Sequence, residues 1–277
     1  MHLLSSNRCG AALAALSLLC AAQAAHAQRD APALLGVPVS RAVDSAAAAP
    51  ESDAAPAPFA ELPAEPVRLR VAGQARRAPG RRLVISLDER RLWWMDGDAV
   101  LHTAPVAIGK GTRLEHGGRV WDFTTPYGVR TVRGKEADPV WVPPDWHYVE
   151  LARDSAFTLA RLERGRPARL ADGSRLEVRG ERIVHVRRDG SEEQIPADEE
   201  VIFGRTLYVP PLGTANRRIA GELGEYKLEL GDGYMLHGTP HQDSIGRAAT
   251  HGCIRLRDPD IEYLYRSVPT GARVFIF

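Results

Sequence analysis

The sequence has few cysteines, no excess of either charge and no long apolar run. Two of its three cysteines, Cys9 and Cys20, lie near the start, which leaves Cys253 alone in the rest of the 277 residues. A disulfide framework is thereby excluded as a source of stability. Lysine plus arginine number 36 against 35 aspartate plus glutamate. Without a basic excess, a nucleic-acid partner is not expected. A membrane-spanning helix needs roughly 20 consecutive apolar residues, and no segment after the leader approaches that.

The apolar stretch that does occur is short. Residues 11–22 are rich in Ala and Leu, Arg8 precedes them, and Ala25, His26 and Ala27 follow. A positive flank, a brief apolar core and a small-x-small site predict a secretory signal over residues 1–27, cut before Gln28. The mature chain is then exported to the periplasm or cell envelope, with no stable membrane span after cleavage. In such an oxidising compartment a lone thiol is either buried and inert or kept for chemistry.

Residues 28–80 are dominated by Ala, Pro and small polar residues, as around Pro50, Pro56 and Pro58. Such a stretch buries too little surface to offset the entropy of ordering, and it reads as a flexible tether. The folded domain is expected over 81–277. Strand-length apolar runs occur at 82–87, 91–95, 99–103, 105–108, 128–132, 226–230, 234–236 and 273–277, separated by turn residues such as Gly97 and Gly231. The pattern predicts a mostly β fold, a β-sandwich with few helices. One helix is expected to start at Pro259, after Asp258 as cap, with Ile261, Leu264 and Val268 on its buried face. Another is expected at about 148–164, followed by a polar hairpin over 176–195 that turns at Asp189 and Gly190. The stretch 150–205 reads as an inserted α/β segment whose charges form a solvated face.

The residues that carry chemistry cluster at 237–256. A thiol attacks carbonyl carbon as thiolate, and a nearby imidazole takes its proton. His237, at a strand end, suits the base for Cys253, with the Gly238 carbonyl as an acceptor that orients the ring. His251 alternates away from Cys253 and suits substrate or loop contacts. Gly252 lets the chain turn sharply, and the N–H groups of Gly252 and Cys253 are placed to face an oxyanion. Arg255 or Arg247 offers a planar contact to a substrate carboxylate. His237, His241, His251 and Cys253 are also zinc-type ligands. Pro240, however, denies His237 and His241 a shared helical turn, so no metal and no cofactor is expected. His241 reads as a loop residue.

The run from His237 to Leu256 resembles the L,D-transpeptidase catalytic domain, or YkuD domain. Its pattern has an early His-Gly, then Ser-x-Gly (here Ser244, Ile245, Gly246), then Ser/Thr-His-Gly-Cys-x-Arg/Asn (here Thr250 to Arg255). Thr125, Pro126, Tyr127 and Gly128 are similar to the family's Thr-Pro-x-Gly turn, and Val142 to Trp146 to its Pro-rich segment. The resemblance covers most of 81–277 apart from 150–205. Ala248 and Thr250 depart mildly from the commonest residues, and no lysin-motif repeat is visible.

The resemblance implies that Cys253 is the acylated nucleophile, His237 the proton acceptor and Gly238 the orienting carbonyl, with Gly252 beside them. His251, Arg255, Arg247 and Ser244 are expected to contact substrate. The implied partner is a peptidoglycan tetrapeptide stem, which loses its terminal D-alanine. The acyl group then passes to an amine of another stem or of an envelope protein. Hydrolysis by the same acyl-enzyme, as an L,D-carboxypeptidase or in releasing wall-linked protein, is an alternative. A non-catalytic wall-binding protein is the alternative of another class.

Overall fold

The computed structural model describes residues 64–277; the expected leader, and the tether as far as residue 63, lie outside the described residues. The described chain is mostly β, with three α-helices, as the strand-and-turn pattern predicts. The elements that build and flank the site are α1 (Ala64–Arg77), β1 (Arg81–Ser86), β2 (Arg91–Asp96), β3 (Ala99–Pro105), β4 (Ile108–Gly109), β5 (Gly128–Thr131) and β6 (Gly134–Ala137), followed by α2 (Asp145–Asp154), β7 (Tyr226–Gly231), β8 (Tyr234–His237), β9 (Ala248–Thr250), β10 (Ile254–Arg255), α3 (Asp258–Ser267) and β11 (Arg273–Ile276).

Two sheets enclose the main core. The larger runs β3-β2-β1-β11-β5, and the chain's last strand, β11, lies parallel to its first, β1. The smaller runs β10-β8-β7-β6, with β10 parallel to β8. Leu83, Ile85, Leu92 and Trp94 of the first sheet pack with Leu228, Leu236 and Ile254 of the second. Ile261, Leu264 and Val268, at helical spacing, bring α3 onto the same core.

Residues 64–80 correct the expected tether. Val67, Val71 and Ala75 recur at helical spacing, and α1 lays them, with Ala78 just past its end, over Val84 and Phe275, on the face of the larger sheet turned away from the main core. Both faces of β1 and β11 are therefore buried. That is why β1 is apolar at consecutive positions instead of alternating. Buried Arg82 closes the C-terminal end of α1. Its Nε donates to the Ala75 carbonyl at 2.8 Å, and its Nη1 to the carbonyls of Gly80 at 3.1 Å and Gly97 at 2.9 Å. The Ala-rich composition hid a short amphipathic helix that is stabilised by packing rather than by propensity.

The inserted region also differs in detail. Helix α2 stops at Asp154 instead of running to 164, because Ala156 takes φ +54° and residues 158–161 become a strand parallel to 206–209. The expected hairpin over 176–195 is a three-stranded meander of Arg175–Arg179, Arg182–Val186 and Glu192–Gln194, turning first at Gly180 and Glu181 and then at Asp189 and Gly190. The start of α2 is fixed by Asp145, a buried carboxylate that accepts from Arg217 Nη2 at 2.8 Å, from Arg119 Nη1 at 2.9 Å and from Arg161. Arg217 is itself buried and also donates to the carbonyls of Pro143 and Pro210. Among the described residues no helix is long and apolar enough to cross a membrane.

Candidate active site

Strand register places the chemistry. In the parallel pairing of β8 with β10, Leu236 lies opposite Ile254 and His237 opposite Arg255. Leu236, Ile254 and Leu256 point into the main core. Side chains alternate along a strand, so His237, Arg255 and Cys253 share the opposite face. The Leu256 N–H donates to the His237 carbonyl at 2.9 Å, which ties the two segments in that register.

The imidazole of His237 is buried, and its Nδ1 lies 2.6 Å from the carbonyl oxygen of Gly238. A carbonyl only accepts, so Nδ1 carries the proton and Nε2 presents its lone pair. Burial drives the pKa of His237 down to about 4, and the positive charge of Arg255 pushes the same way. The ring is therefore neutral at physiological pH. Cys253 is half-buried, and its Sγ donates to the Gly233 carbonyl at 3.7 Å. Desolvation pushes the thiol pKa up, against the backbone N–H of Met235 and the charge of Arg255, which favour the thiolate.

The turn before Cys253 is held from three sides. Gly252 takes φ +119°, and a Cβ there would stand 3.1 Å from the Tyr234 ring, so only glycine fits without strain. The Thr250 hydroxyl donates to the Cys253 carbonyl at 2.6 Å and accepts from the Gly252 N–H at 3.2 Å. This corrects the expectation that the Gly252 N–H faces an oxyanion, because that donor is already engaged. The Thr125 hydroxyl donates to the Gly252 carbonyl at 2.9 Å and accepts from the Gly109 N–H at 2.8 Å. Gly109 must lack a side chain, since a Cβ would lie 2.4 Å from the Phe123 carbonyl.

His251 contacts the protein on several sides. Its ring stacks on Trp146 at 3.9 Å and meets the edge of Phe123 at 4.6 Å. Its Nε2 lies 2.7 Å from Glu150 Oε2 and 3.0 Å from Lys110 Nζ, and Lys110 also donates to Glu150 Oε1 at 2.7 Å. Burial takes His251 down to about 4 although Glu150 pulls the other way. Glu150 stays ionised: burial alone would raise it, but the hydrogen bond from Lys110 and the contact with His251 hold it below the usual range. The Lys110 N–H donates to the Thr250 carbonyl at 2.8 Å, so one residue grips both the backbone and the side chain of this loop. His251 thus anchors the loop through Trp146, Glu150 and Lys110.

The remaining expected contacts divide. Ser244 is buried, and its hydroxyl donates to the His241 carbonyl at 2.7 Å, so it closes a turn. Arg247 is exposed, and its carbonyl accepts from the Ile108 N–H. Arg255 lies on the face of Cys253 and His237, with Nη2 3.6 Å from Glu222 Oε1. His241 is an exposed loop residue, as expected, 3.5 Å from the other Glu222 oxygen. Sequence reasoning gave no role to Lys110, Thr125, Trp146, Glu150, Glu222 or Tyr234. Thr125 and Trp146 had a signal, as the first residue of the Thr-Pro turn and the last of the Pro-rich segment that carry the resemblance.

Known proteins resemble this chain. The family described as the L,D-transpeptidase catalytic domain (YkuD) matches residues 80–276. The probable L,D-transpeptidase ErfK/SrfK of Salmonella typhimurium is 27% identical over 196 residues, which is 70% of this chain and 43% of that protein. The probable L,D-transpeptidase YcfS of Escherichia coli is 29% identical over 203 residues, 72% of this chain and 44% of that protein. This chain therefore spans less than half the length of these two curated relatives. The solved catalytic domain of the E. faecium L,D-transpeptidase superposes with a TM-score of 0.36 at 15% identity, covering 73% of this chain and 99% of that one. With the family match running through both sheets and the Thr250–Arg255 loop, the chain belongs to the L,D-transpeptidase catalytic domain (YkuD) family.

Proposed function

We propose that this chain is a cysteine-dependent L,D-transpeptidase that acts on peptidoglycan stem peptides in the cell envelope. The observation that carries the reading is the shared sheet face of Cys253 and His237, with Nδ1 of the imidazole fixed at 2.6 Å on the Gly238 carbonyl. Sγ of Cys253 attacks the carbonyl of the stem's third residue while its proton passes to Nε2 of His237. The carbonyl π electrons move to oxygen, and the N–H of Cys253 stabilises the oxyanion. Collapse breaks the C–N bond, and the proton on Nε2 leaves with the amine of D-alanine. The thioester then passes to an amine, and His237 takes the proton released.

The neutral imidazole supports general-base activation of a neutral thiol over a standing thiolate–imidazolium pair. Export by a cleaved leader over residues 1–27, with residues 28–63 as a spacer, completes the proposal. The reading is tested by incubating the chain with disaccharide-tetrapeptides and resolving the products by mass spectrometry. Cross-linked dimers with release of D-alanine, absent in Cys253→Ala, are expected. Identical products from both proteins would refute it, and loss of D-alanine with no larger product would turn the reading to a carboxypeptidase.

A further inference from the structure

Among the described residues one buried side-chain nitrogen or oxygen has no hydrogen-bond partner: Nε of Arg255. Buried donors are nearly always satisfied, because an orphan costs on the order of 1–3 kcal/mol. Here the orphan belongs to a charged group on the same sheet face as Cys253 and His237. The backbone beneath it is fixed, since Arg255 and Ala107 exchange N–H to carbonyl bonds of 3.0 and 2.9 Å. Such a donor in a reactive site calls for an acceptor on a ligand.

The other end of the guanidinium shows what else that ligand carries. Nη2 of Arg255 lies 3.6 Å from one oxygen of Glu222, and Nε2 of His241 lies 3.5 Å from the other. Both distances exceed the roughly 2.7–2.9 Å of a good charge-assisted hydrogen bond. The Glu222 side chain is 25% exposed, so a second cation can reach it. Glu222 also immediately precedes Leu223, whose backbone contacts the His237 ring. A cation with an unfilled donor beside an anion with loosely filled acceptors complements a ligand that carries a carboxylate and an amine close together.

We propose that Arg255 and Glu222 form the acyl-acceptor subsite and recognise a free amino-carboxylate terminus. Arg255 takes the carboxylate through Nε and Nη2, and Glu222 accepts an N–H of the amine. The inference rests on the transpeptidase reading and adds that Glu222 decides between an amine and water as acceptor. The incoming ammonium first loses a proton to solvent. Its nitrogen lone pair then forms the C–N bond as the C–Sγ bond breaks. The second proton passes to Nε2 of His237 and from there to the departing sulfur, which regenerates the thiol and the neutral imidazole.

The test uses the full chain, a tetrapeptide donor and two acceptors: a second stem peptide with its free amino-carboxylate terminus, and the same peptide with that carboxylate converted to the amide. The readout is the ratio of transfer to hydrolysis products, which cancels any shared loss in forming the thioester. Wild type is expected to favour the acid over the amide by roughly tenfold or more. Glu222→Ala should lower the transfer-to-hydrolysis ratio by a similar factor, with Glu222→Gln in between. An unchanged ratio in Glu222→Ala, or equal use of acid and amide by wild type, overturns the proposal while leaving the transpeptidase reading intact. A wild-type chain that never forms a covalent adduct with a carbapenem removes both.

Discussion

At the scale of single residues the account turns on which groups carry protons. His237 titrates at about 4 because it is buried, next to Arg255, and a base works only in its neutral form. The expected kcat/KM profile therefore holds level through pH 6.5 and falls only as pH drops toward about 4. An inflection near 6.5 would mean a solvated imidazole and contradict the buried arrangement. Backbone strain gives a second prediction. Gly252→Ala forces a side chain into φ +119° against the Tyr234 ring, at a cost of about 1–3 kcal/mol. Steady-state kinetics should show kcat lowered by at least tenfold with the far-UV spectrum unchanged. Wild-type turnover in this variant would show that the turn is not needed to present Cys253.

The residue scale is also where the sequence was most legible. Cys253, His237 and the glycines between them declare their chemistry by type and spacing. Lys110, Glu150 and Glu222 do not, because a surface glutamate and one bonded to a catalytic loop look alike in one dimension. Ser244 belongs to the recognised pattern, and its hydroxyl closes its own turn, a bond that only the fold reveals.

Among the elements, strands were readable and helix limits were not. β1, β2, β7, β8 and β11 follow the apolar runs: β1 and β11, covered on both faces, are continuously apolar, while β2 alternates. Helix α1 went unread since Ala and Pro composition masked three apolar positions spaced for packing. Helix α2 was drawn too long because Ala156, Leu159 and Ala160 continue the helical period by chance, where the chain reverses and pairs as a strand. Its real position has a consequence. Trp146 and Glu150 lie over the loop that carries His251 and Cys253, so the inserted segment starts as part of the site. Asp145→Asn should unsettle this helix, because it breaks the buried ion pair with Arg217, at a cost of about 3–5 kcal/mol. Thermal unfolding should show a large fall in Tm. A change near zero would mean that Arg119, Arg161 and Arg217 hold α2 without the carboxylate.

For the whole molecule, two histidines, His237 buried and His251 half-buried, couple stability to pH. His237 and His251 titrate at about 4 in the fold, below the ordinary value of 6.5. Between those values the unfolded chain binds more protons, so stability is full above 6.5 and is lost as pH falls toward 4. Each group contributes a slope of up to about 1.4 kcal/mol per pH unit in that window. Urea titrations from pH 7.5 to 4.5 should show this decline, and His251→Gln should flatten it. A wild-type curve that is flat down to pH 5 would contradict the neutral state of these rings in the fold. The strand-end placement of His237 on a closed pair of sheets is what allows one imidazole to be both fixed in direction and kept neutral.

The most direct test of the central pairing is the rate at which a carbapenem acylates the protein at pH 7, with the adduct mapped by peptide mass spectrometry. The account predicts a single adduct on Cys253, none in Cys253→Ala, and a rate at least about a hundredfold lower in His237→Gln. An adduct on another residue, or an undiminished rate in His237→Gln, would contradict it.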